Sequence, residues 1–175
     1  MKSNYRIIVA GGGTGGHFFP ALALYSSLQN KGINVKYMGS KFGIESNYFS
    51  NNGSESILLN IQGIQRQFTL DGLKKNSLFP FKFLHSYLLS RKIMYKYKPH
   101  VVIGTGGYSS GLPLLAAIHV GIKTIIQEQN SFPGITTRHL SSRVDKICIA
   151  YEDAAHYFKK KILFLQATLY GRTFS

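Results

Sequence analysis

The sequence contains few acidic residues. Seven Asp and Glu stand against 21 Lys and Arg in 175 residues, which gives a formal net charge of +14. A chain with this imbalance is expected to bind an anionic partner, which could be a nucleic acid, lipid headgroups or a phosphorylated substrate. Charge alone does not choose among these three classes.

Cysteine and long apolar runs are also scarce. The single cysteine, Cys148, excludes an internal disulfide, and its place in an apolar run predicts core packing in a reducing compartment. No run reaches the ~20 apolar residues that a membrane span needs, and the N-terminus leads into a predicted strand without a signal peptide. We therefore expect one cytoplasmic domain that at most touches a membrane surface.

A glycine-rich stretch covers residues 11–20 (GGGTGGHFFP). It follows the apolar residues 5–10, which predict a buried parallel strand, and precedes residues 21–28, whose leucine spacing predicts a helix. The first N–H groups of a helix lack intrahelical partners and lie at the positive end of its dipole. The stretch therefore predicts an anion site, with a phosphate as the expected guest.

Two familiar nucleotide sites do not fit this stretch. The spacing of Gly11, Gly13 and Gly16 matches the dinucleotide fingerprint, but no carboxylate follows the second predicted strand before Glu45, which disfavours a nicotinamide cofactor. The absence of a Gly-Lys-Ser/Thr ending excludes a nucleoside-triphosphate P-loop. His17, at the mouth of the loop, could act as a general base near neutral pH or could merely cap or pack at the helix start.

A second glycine loop is predicted at residues 104–111 (GTGGYSSG), between a strand at 100–104 and a helix at 112–120. A strand at 124–126 then delivers residues 127–130 (QEQN) to the same edge of the sheet. Because open α/β sheets bind ligands at this edge, the two loops could hold one diphosphate, or a phosphate and a sugar. Amides and carboxylates suit sugar hydroxyls, although Glu128 could equally be a structural carboxylate that caps a loop.

The order of strands and helices predicts an α/β fold, a Rossmann-like parallel sheet with helices on both faces. Further strands are predicted at 33–38, 56–61 and 146–150, and further helices at 43–52, through Leu140 and from Asp153.

Residues 68–98 combine aromatic and basic side chains, with Asp71 as the only acid. We expect Pro80 to break this segment, one face to pack on the sheet, and the rest to lie on an anionic bilayer. The alternative is an ordinary amphipathic helix that its lysines keep soluble. Nucleic acid binding also stays open, although no recognised module signature is present.

Three motifs, taken in order, resemble the MurG family. They are residues 12–20 (GGTGGHFFP), 106–111 (GGYSSG) and 128–130 (EQN), and the resemblance covers residues 5–160. The family transfers GlcNAc from UDP-GlcNAc to undecaprenyl-pyrophosphoryl-MurNAc-pentapeptide, which converts lipid I to lipid II in peptidoglycan synthesis. The resemblance implies the N-terminal, acceptor-binding domain of a GT-B glycosyltransferase over residues 1–160, and an inverting reaction that needs no metal or cofactor.

The resemblance also implies roles for individual residues. His17 would assist deprotonation of the acceptor's 4-hydroxyl. The residues that match donor contacts are Thr14, Gly15, Gly16 and Asn130. The residues assigned to the acceptor side are Gly13, Gly106, Gly107, Tyr108, Ser110 and Glu128, the last without a role that its chemistry makes evident. The basic aromatic segment corresponds to the family's membrane-facing patch, which implies a peripheral protein on the cytoplasmic face of the plasma membrane and no nucleic acid partner.

The sequence departs from the family after residue 160. Residues 161–175 lack the family's Gly-Asn-Pro-x-Arg stretch, so Arg172 is not assigned to the donor. We expect the donor-binding C-terminal domain of the family to be absent from this chain. We interpret this tail as the result of a shifted reading frame or a truncation near residue 162. The alternatives to a complete enzyme are a non-catalytic subunit that binds acceptor and membrane beside a separate donor-domain chain, and an inactive fragment.

Overall fold

The fold is built on one parallel sheet. The computed structural model describes residues 3–52, 56–63, 77–159 and 162–164, and within them seven strands pair in the order β3-β2-β1-β4-β5-β6-β7. All six pairings are parallel, which confirms the predicted sheet. The strands are β1 Ser3–Ala10, β2 Ile33–Ser40, β3 Ser56–Leu59, β4 Val101–Gly104, β5 Lys123–Glu128, β6 Lys146–Ile149 and β7 Ile162–Phe164.

Helices cover both faces of the sheet, as predicted. On one face Val9 of β1 packs with Phe18 and Phe49. On the opposite face its neighbour Ile8 packs in a second cluster with Met94. The alternation along β1 therefore supplies both halves of the core. The helices are α1 Gly15–Asn30, α2 Ile44–Asn52, α3 Phe79–Tyr97, α4 Gly107–Val120, α5 Ile135–Leu140 and a 3₁₀ helix at Glu152–Tyr157.

Helices α1 and α4 begin earlier than predicted. Each is preceded by glycines with positive φ, including Gly13 at 85° before α1 and Gly106 at 97° before α4. Positive φ lets the chain reverse direction within two residues, so the helix starts directly after the turn. His17 and Tyr108 consequently lie in the first turns of helices and not in loops.

Pro80 does not break the basic aromatic segment. It lies in the first turn of α3, where a helix needs no N–H donor, and the helix then runs to Tyr97 and is followed by Lys98 in the left-handed conformation. Ser86, Ser90 and Met94 are buried. None of the described helices is long and apolar enough to cross a membrane. The predicted segment at 68–76, with Asp71, lies outside the described residues.

The order of the strands creates a switch point between β1 and β4. From β1 the chain winds outward to β2 and β3, and from β4 it winds the other way to β5 and β6. The loops after β1 and β4 therefore meet at the carboxyl edge of the sheet, where open α/β sheets bind ligands. Within the predicted tail, residues 162–164 add strand β7 beside β6, and residues 165–175 lie outside the described residues.

Candidate active site

The first glycine loop leaves two backbone amides open. Thr14 is extended at the N-cap of α1, and its carbonyl accepts from the amides of His17 and Phe18. In the described part of the chain, the amides of Gly15 and Gly16 contact no acceptor. They lie at the positive end of the helix dipole, and Thr14 and Gly16 are exposed. The geometry suits an anion, as the sequence predicts.

Glu45 holds this loop from inside the protein. Its buried carboxylate accepts from the amide of Gly13 at 2.9 Å and from the amide of Ser40 at 2.8 Å. A Cβ added at Gly12 or Gly43 would lie within 2.5 Å of the carboxylate atoms. Because the protein itself occupies the Gly13 amide, the open amides of this loop belong to the next turn.

His17 is seated against the second glycine loop. Its Nδ1 lies 3.1 Å from the carbonyl oxygen of Thr105, whose hydroxyl in turn donates to the His17 carbonyl at 2.7 Å. A Cβ at Gly106 would approach Nδ1 to 2.6 Å, and one at Gly107 would approach the ring carbon Cδ2 to 3.2 Å. The absence of side chains at these two positions therefore lets the imidazole lie between the loops.

Gln129 joins the third motif to the first. Pro20 has no N–H, so the carbonyl of Gly16 lacks its usual donor in α1, and Nε2 of Gln129 donates to it at 2.8 Å. The same nitrogen lies 2.8 Å from Nδ1 of His17. Nδ1 therefore faces a donor, Gln129, and an acceptor, the Thr105 carbonyl, and the tautomer of His17 decides which contact is a hydrogen bond.

Glu128 orients Asn130. The Glu128 side chain is buried, and its Oε1 accepts from the backbone amide of Asn130 at 3.0 Å and from its side-chain amide at 2.8 Å. This arrangement fits the alternative of a structural carboxylate that caps its own loop. Asn130 itself is exposed, with its side-chain amide held by Glu128.

Tyr108 and Ser110 differ in their surroundings. The half-buried Tyr108 ring lies against the first loop, since a Cβ at Gly13 would approach it to 2.6 Å. Burial raises the pKa of Tyr108, a hydrogen bond with Ser40 opposes part of that rise, and the charge of Glu45 adds to it. Ser110 is buried and donates to the carbonyl of Gly107 at 3.1 Å, so its hydroxyl is engaged within α4.

A cavity of about 460 Å³ opens beside His17. Gly107 and Tyr108 line it from α4, and Arg138 lines it from α5. The guanidinium of Arg138 lies 5.0 Å from the centre of the Phe132 ring, and both residues line this cavity together with His17. Arg138 was not predicted as a site residue, because nothing in its local sequence distinguishes it from other arginines.

Three comparisons with known proteins agree on the family. Residues 7–149 match the family model of the glycosyltransferase family 28 N-terminal domain. A relative from Flavobacterium psychrophilum, named UDP-N-acetylglucosamine--N-acetylmuramyl-(pentapeptide) pyrophosphoryl-undecaprenol N-acetylglucosamine transferase, is 44% identical over 92% of this chain and 43% of its own length. A relative of the same name from Christiangramia forsetii is 45% identical over 90% of this chain and 43% of its own length.

Among solved structures, Acinetobacter baumannii MurG superposes with a TM-score of 0.74 and 28% identity, over 91% of this chain and 45% of that protein. This match confirms the predicted GT-B N-terminal fold. The chain spans less than half the length of these relatives. Since the family model covers most of the sequence, this chain belongs to the family of glycosyltransferase family 28 N-terminal domains.

Proposed function

We propose that residues 1–160 are the acceptor-binding half of an inverting glycosyltransferase that moves GlcNAc from UDP-GlcNAc to undecaprenyl-pyrophosphoryl-MurNAc-pentapeptide. The observation that supports this most is the position of His17, which lines the cavity beside Tyr108 and whose side-chain contacts with Thr105 and Gln129 are both made at Nδ1. The names of the relatives supply the donor and the acceptor. The proposal assigns this chain to the synthesis of lipid II in cell wall biogenesis.

His17 acts as the general base in this proposal. Nε2 takes the proton of the acceptor's 4-hydroxyl, the oxygen bonds to the anomeric carbon of GlcNAc from the face opposite the leaving group, and the bond to UDP breaks with its electron pair going to UDP. Nε2 can accept a proton only in the tautomer in which Nδ1 carries the hydrogen, and in that tautomer Nδ1–H donates a hydrogen bond to the carbonyl of Thr105. The reaction therefore requires one of the two tautomers that the contacts of Nδ1 allow.

The glycine loops hold the phosphates. Although the resemblance matches Gly15 and Gly16 to donor contacts, we assign their open amides at the start of α1 to oxygens of the acceptor's diphosphate. Arg138 lines the same cavity as His17. Thr14 and Asn130 contact the donor, with Asn130 aimed by Glu128. Gly106 and Gly107 serve the acceptor indirectly, because they make room for the imidazole.

A membrane surface is the proposed place of action. Helix α3 exposes Phe81 by 74%, Leu84 by 55% and Leu88 by 52% of their surfaces, interleaved with Lys82, Arg91 and Lys92. Apolar side chains that insert between basic ones suit an anionic bilayer, here the cytoplasmic face of the plasma membrane. The sequence carries no recognised RNA- or DNA-binding signature, so nucleic acid is not the proposed partner.

The remaining donor-binding groups of the complete enzyme, beyond Thr14 and Asn130, are proposed to lie outside the described residues, in the same polypeptide or in a separate chain. If they lie in a separate chain, this one is the subunit that binds acceptor and membrane. Both versions use the same site, and they differ only in whether this chain supports transfer without a partner.

A chimera tests the proposal. The segment of the Flavobacterium psychrophilum relative that matches this chain is replaced by residues 1–160, and transfer of labelled GlcNAc from UDP-GlcNAc to a short-chain lipid I analogue is measured. We expect transfer by the chimera and a loss of about 100-fold or more in His17→Ala. A folded chimera that transfers nothing while the parent relative is active, or that is indifferent to His17→Ala, would contradict the proposal.

A further inference from the structure

A second and larger cavity lies next to the His17 cavity. It measures about 620 Å³ and lies among α3, α4, α5 and the end of β3. Its lining is mainly apolar, with Ile61, Phe79, Phe83, Leu112, Leu115 and Leu140. A cavity of this size is in the range of small-molecule sites, and its mainly apolar lining favours an apolar occupant over a sugar or a nucleotide.

The two cavities are continuous in their lining. Tyr108, Ile135 and Thr136 line both of them. The smaller cavity is lined by His17 and the cation Arg138, whereas the larger one is lined by apolar side chains of α3 and α4. A ligand with a charged head and an apolar tail would therefore meet matching surroundings on the two sides of Tyr108.

We propose that the larger cavity binds the isoprenoid segment next to the diphosphate of the acceptor. This inference rests on the proposed function, because the relatives' names place an undecaprenol chain directly on the pyrophosphoryl group. The Tyr108 ring lies against the first glycine loop, since a Cβ at Gly13 would approach it to 2.6 Å, and the same ring lines the larger cavity, so a carbon chain that leaves a diphosphate at this loop can pass Tyr108 into that cavity. The isoprenoid carries no polar atoms, so its burial leaves no hydrogen-bonding group of the ligand unpaired in an apolar lining.

Helix α3 lies between the cavity and the proposed membrane surface. Phe79 and Phe83 line the cavity, and Phe81 and Leu84 of the same turns are exposed. The segment of isoprenoid in the cavity and the segment in the bilayer are thus separated by one helix. Extraction of only the first isoprene units exposes little apolar surface to water, because the cavity covers it.

Two soluble probes separate the head from the tail. Farnesyl diphosphate carries the same diphosphate on a fifteen-carbon isoprenoid, and inorganic pyrophosphate carries no tail. Their dissociation constants for the 175-residue chain are measured by NMR titration, with the methyl signals of Leu115 and Ile135 as reporters. Burial of the tail predicts that farnesyl diphosphate binds at least about tenfold more tightly than pyrophosphate.

Leu115→Trp fills the cavity, and Ile118→Trp is its matched control. Both residues are half-buried on α4, but only Leu115 lines the cavity. We expect Leu115→Trp to bring the affinity for farnesyl diphosphate down to that for pyrophosphate, with pyrophosphate unaffected. Ile118→Trp should keep the preference, and thermal unfolding verifies that both variants are folded.

The outcomes distinguish this inference from the proposed function. If pyrophosphate binds but the farnesyl tail adds nothing, or if Leu115→Trp and Ile118→Trp behave alike, the isoprenoid site is wrong and the diphosphate site stands. If farnesyl diphosphate binds in a manner that depends on Leu115 while pyrophosphate does not bind, the isoprenoid site stands and the diphosphate site is wrong. Binding of neither probe contradicts both.

Discussion

The side-chain nitrogen of Gln129 lies 2.8 Å from Nδ1 of His17, so the end of β5 contacts the start of α1 directly. The same nitrogen donates to the carbonyl of Gly16, which Pro20 leaves without a helical donor. One amide therefore completes the first turns of α1 and influences the tautomer of the proposed base. Thr105 supplies the competing acceptor at 3.1 Å.

Replacement of Gln129 by methionine should change the tautomer of His17. Gln129→Met keeps the length of the side chain but removes the donor that faces Nδ1, so that only the carbonyl of Thr105 remains in contact. We expect the fraction of His17 that is protonated at Nδ1 to rise, as read from imidazole ¹⁵N shifts at a pH where the ring is neutral. An unchanged tautomer ratio would show that Gln129 only supports the Gly16 carbonyl.

Glu45→Gln should destabilise the folded chain, although it replaces only one carboxylate oxygen by an NH₂ group. The buried carboxylate accepts from two backbone amides, those of Gly13 and Ser40, and the new NH₂ group would face one of them. We expect the free energy of unfolding in urea to fall by about 2–3 kcal/mol. Glu152→Gln, on an exposed side chain, is the control and should change it by less than about 0.5 kcal/mol. Equal effects of the two changes would refute the bracing role of Glu45.

Asp145 should make stability depend on acid pH. Hydrogen bonds from Lys123, and then from the backbone amide of Thr124, lower the pKa of Asp145 below its usual value. Because the pKa in the folded state is below that in the unfolded state, the stabilisation is present above pH ~4 and is lost as the pH falls through the lower folded value.

The change Asp145→Asn tests this dependence. Lys123 is well exposed, so the loss at pH 7 should be below about 1 kcal/mol. The difference from the unsubstituted chain in urea unfolding should shrink as the pH is lowered toward 3. Asp153→Asn, on an exposed side chain, serves as the control. A difference that stays constant from pH 7 to pH 3 would mean that the charge of Asp145 contributes nothing.

Three exposed residues of α3 should govern binding to vesicles. Phe81, Leu84 and Leu88 are replaced together by serine, which removes apolar surface without touching the core. The fraction of protein that sediments with anionic vesicles should fall by about tenfold or more, and the midpoint temperature of thermal unfolding should change little. Tyr151→Ser, at another exposed aromatic residue, should leave sedimentation as it is. Equal sedimentation of the two variants would exclude α3 as the membrane contact.

Strands β1, β2, β4 and β5 were predictable because each contains an apolar run and is followed by a loop and a helix. The predicted strands at 100–104 and 146–150 agree with Val101–Gly104 and Lys146–Ile149 to within one residue at each end. The starts of α1 and α4 were wrong, because glycine disfavours helices in general but permits a turn of positive φ directly before one. The prediction that Pro80 breaks the basic aromatic segment was also wrong, because proline is tolerated in the first turn of a helix.

The site was predictable where a motif lies at the end of a strand. The motif residues His17, Tyr108 and Asn130 occupy the predicted edge of the sheet, although their roles stay predictions. Glu45 and Gln129 gained no role from the sequence, because their partners lie 32 and 113 positions away in the chain. For Gln129 a signal was present, since a proline in the second turn of a helix implies a carbonyl that needs an outside donor.

The most direct test of the account is the binding of a short-chain lipid I analogue to the 175-residue chain. Gly16 offers a clean pair of variants, because a Cβ there meets nothing within 4 Å and its amide is one of the two open ones. Gly16→Glu places a negative charge at the proposed phosphate site, and Gly16→Gln places a neutral group of the same shape there.

The account predicts that the chain binds the analogue and that Gly16→Glu weakens binding by at least about tenfold relative to Gly16→Gln. Absence of binding, or equal affinities of the two variants, would contradict an acceptor site at the glycine loops.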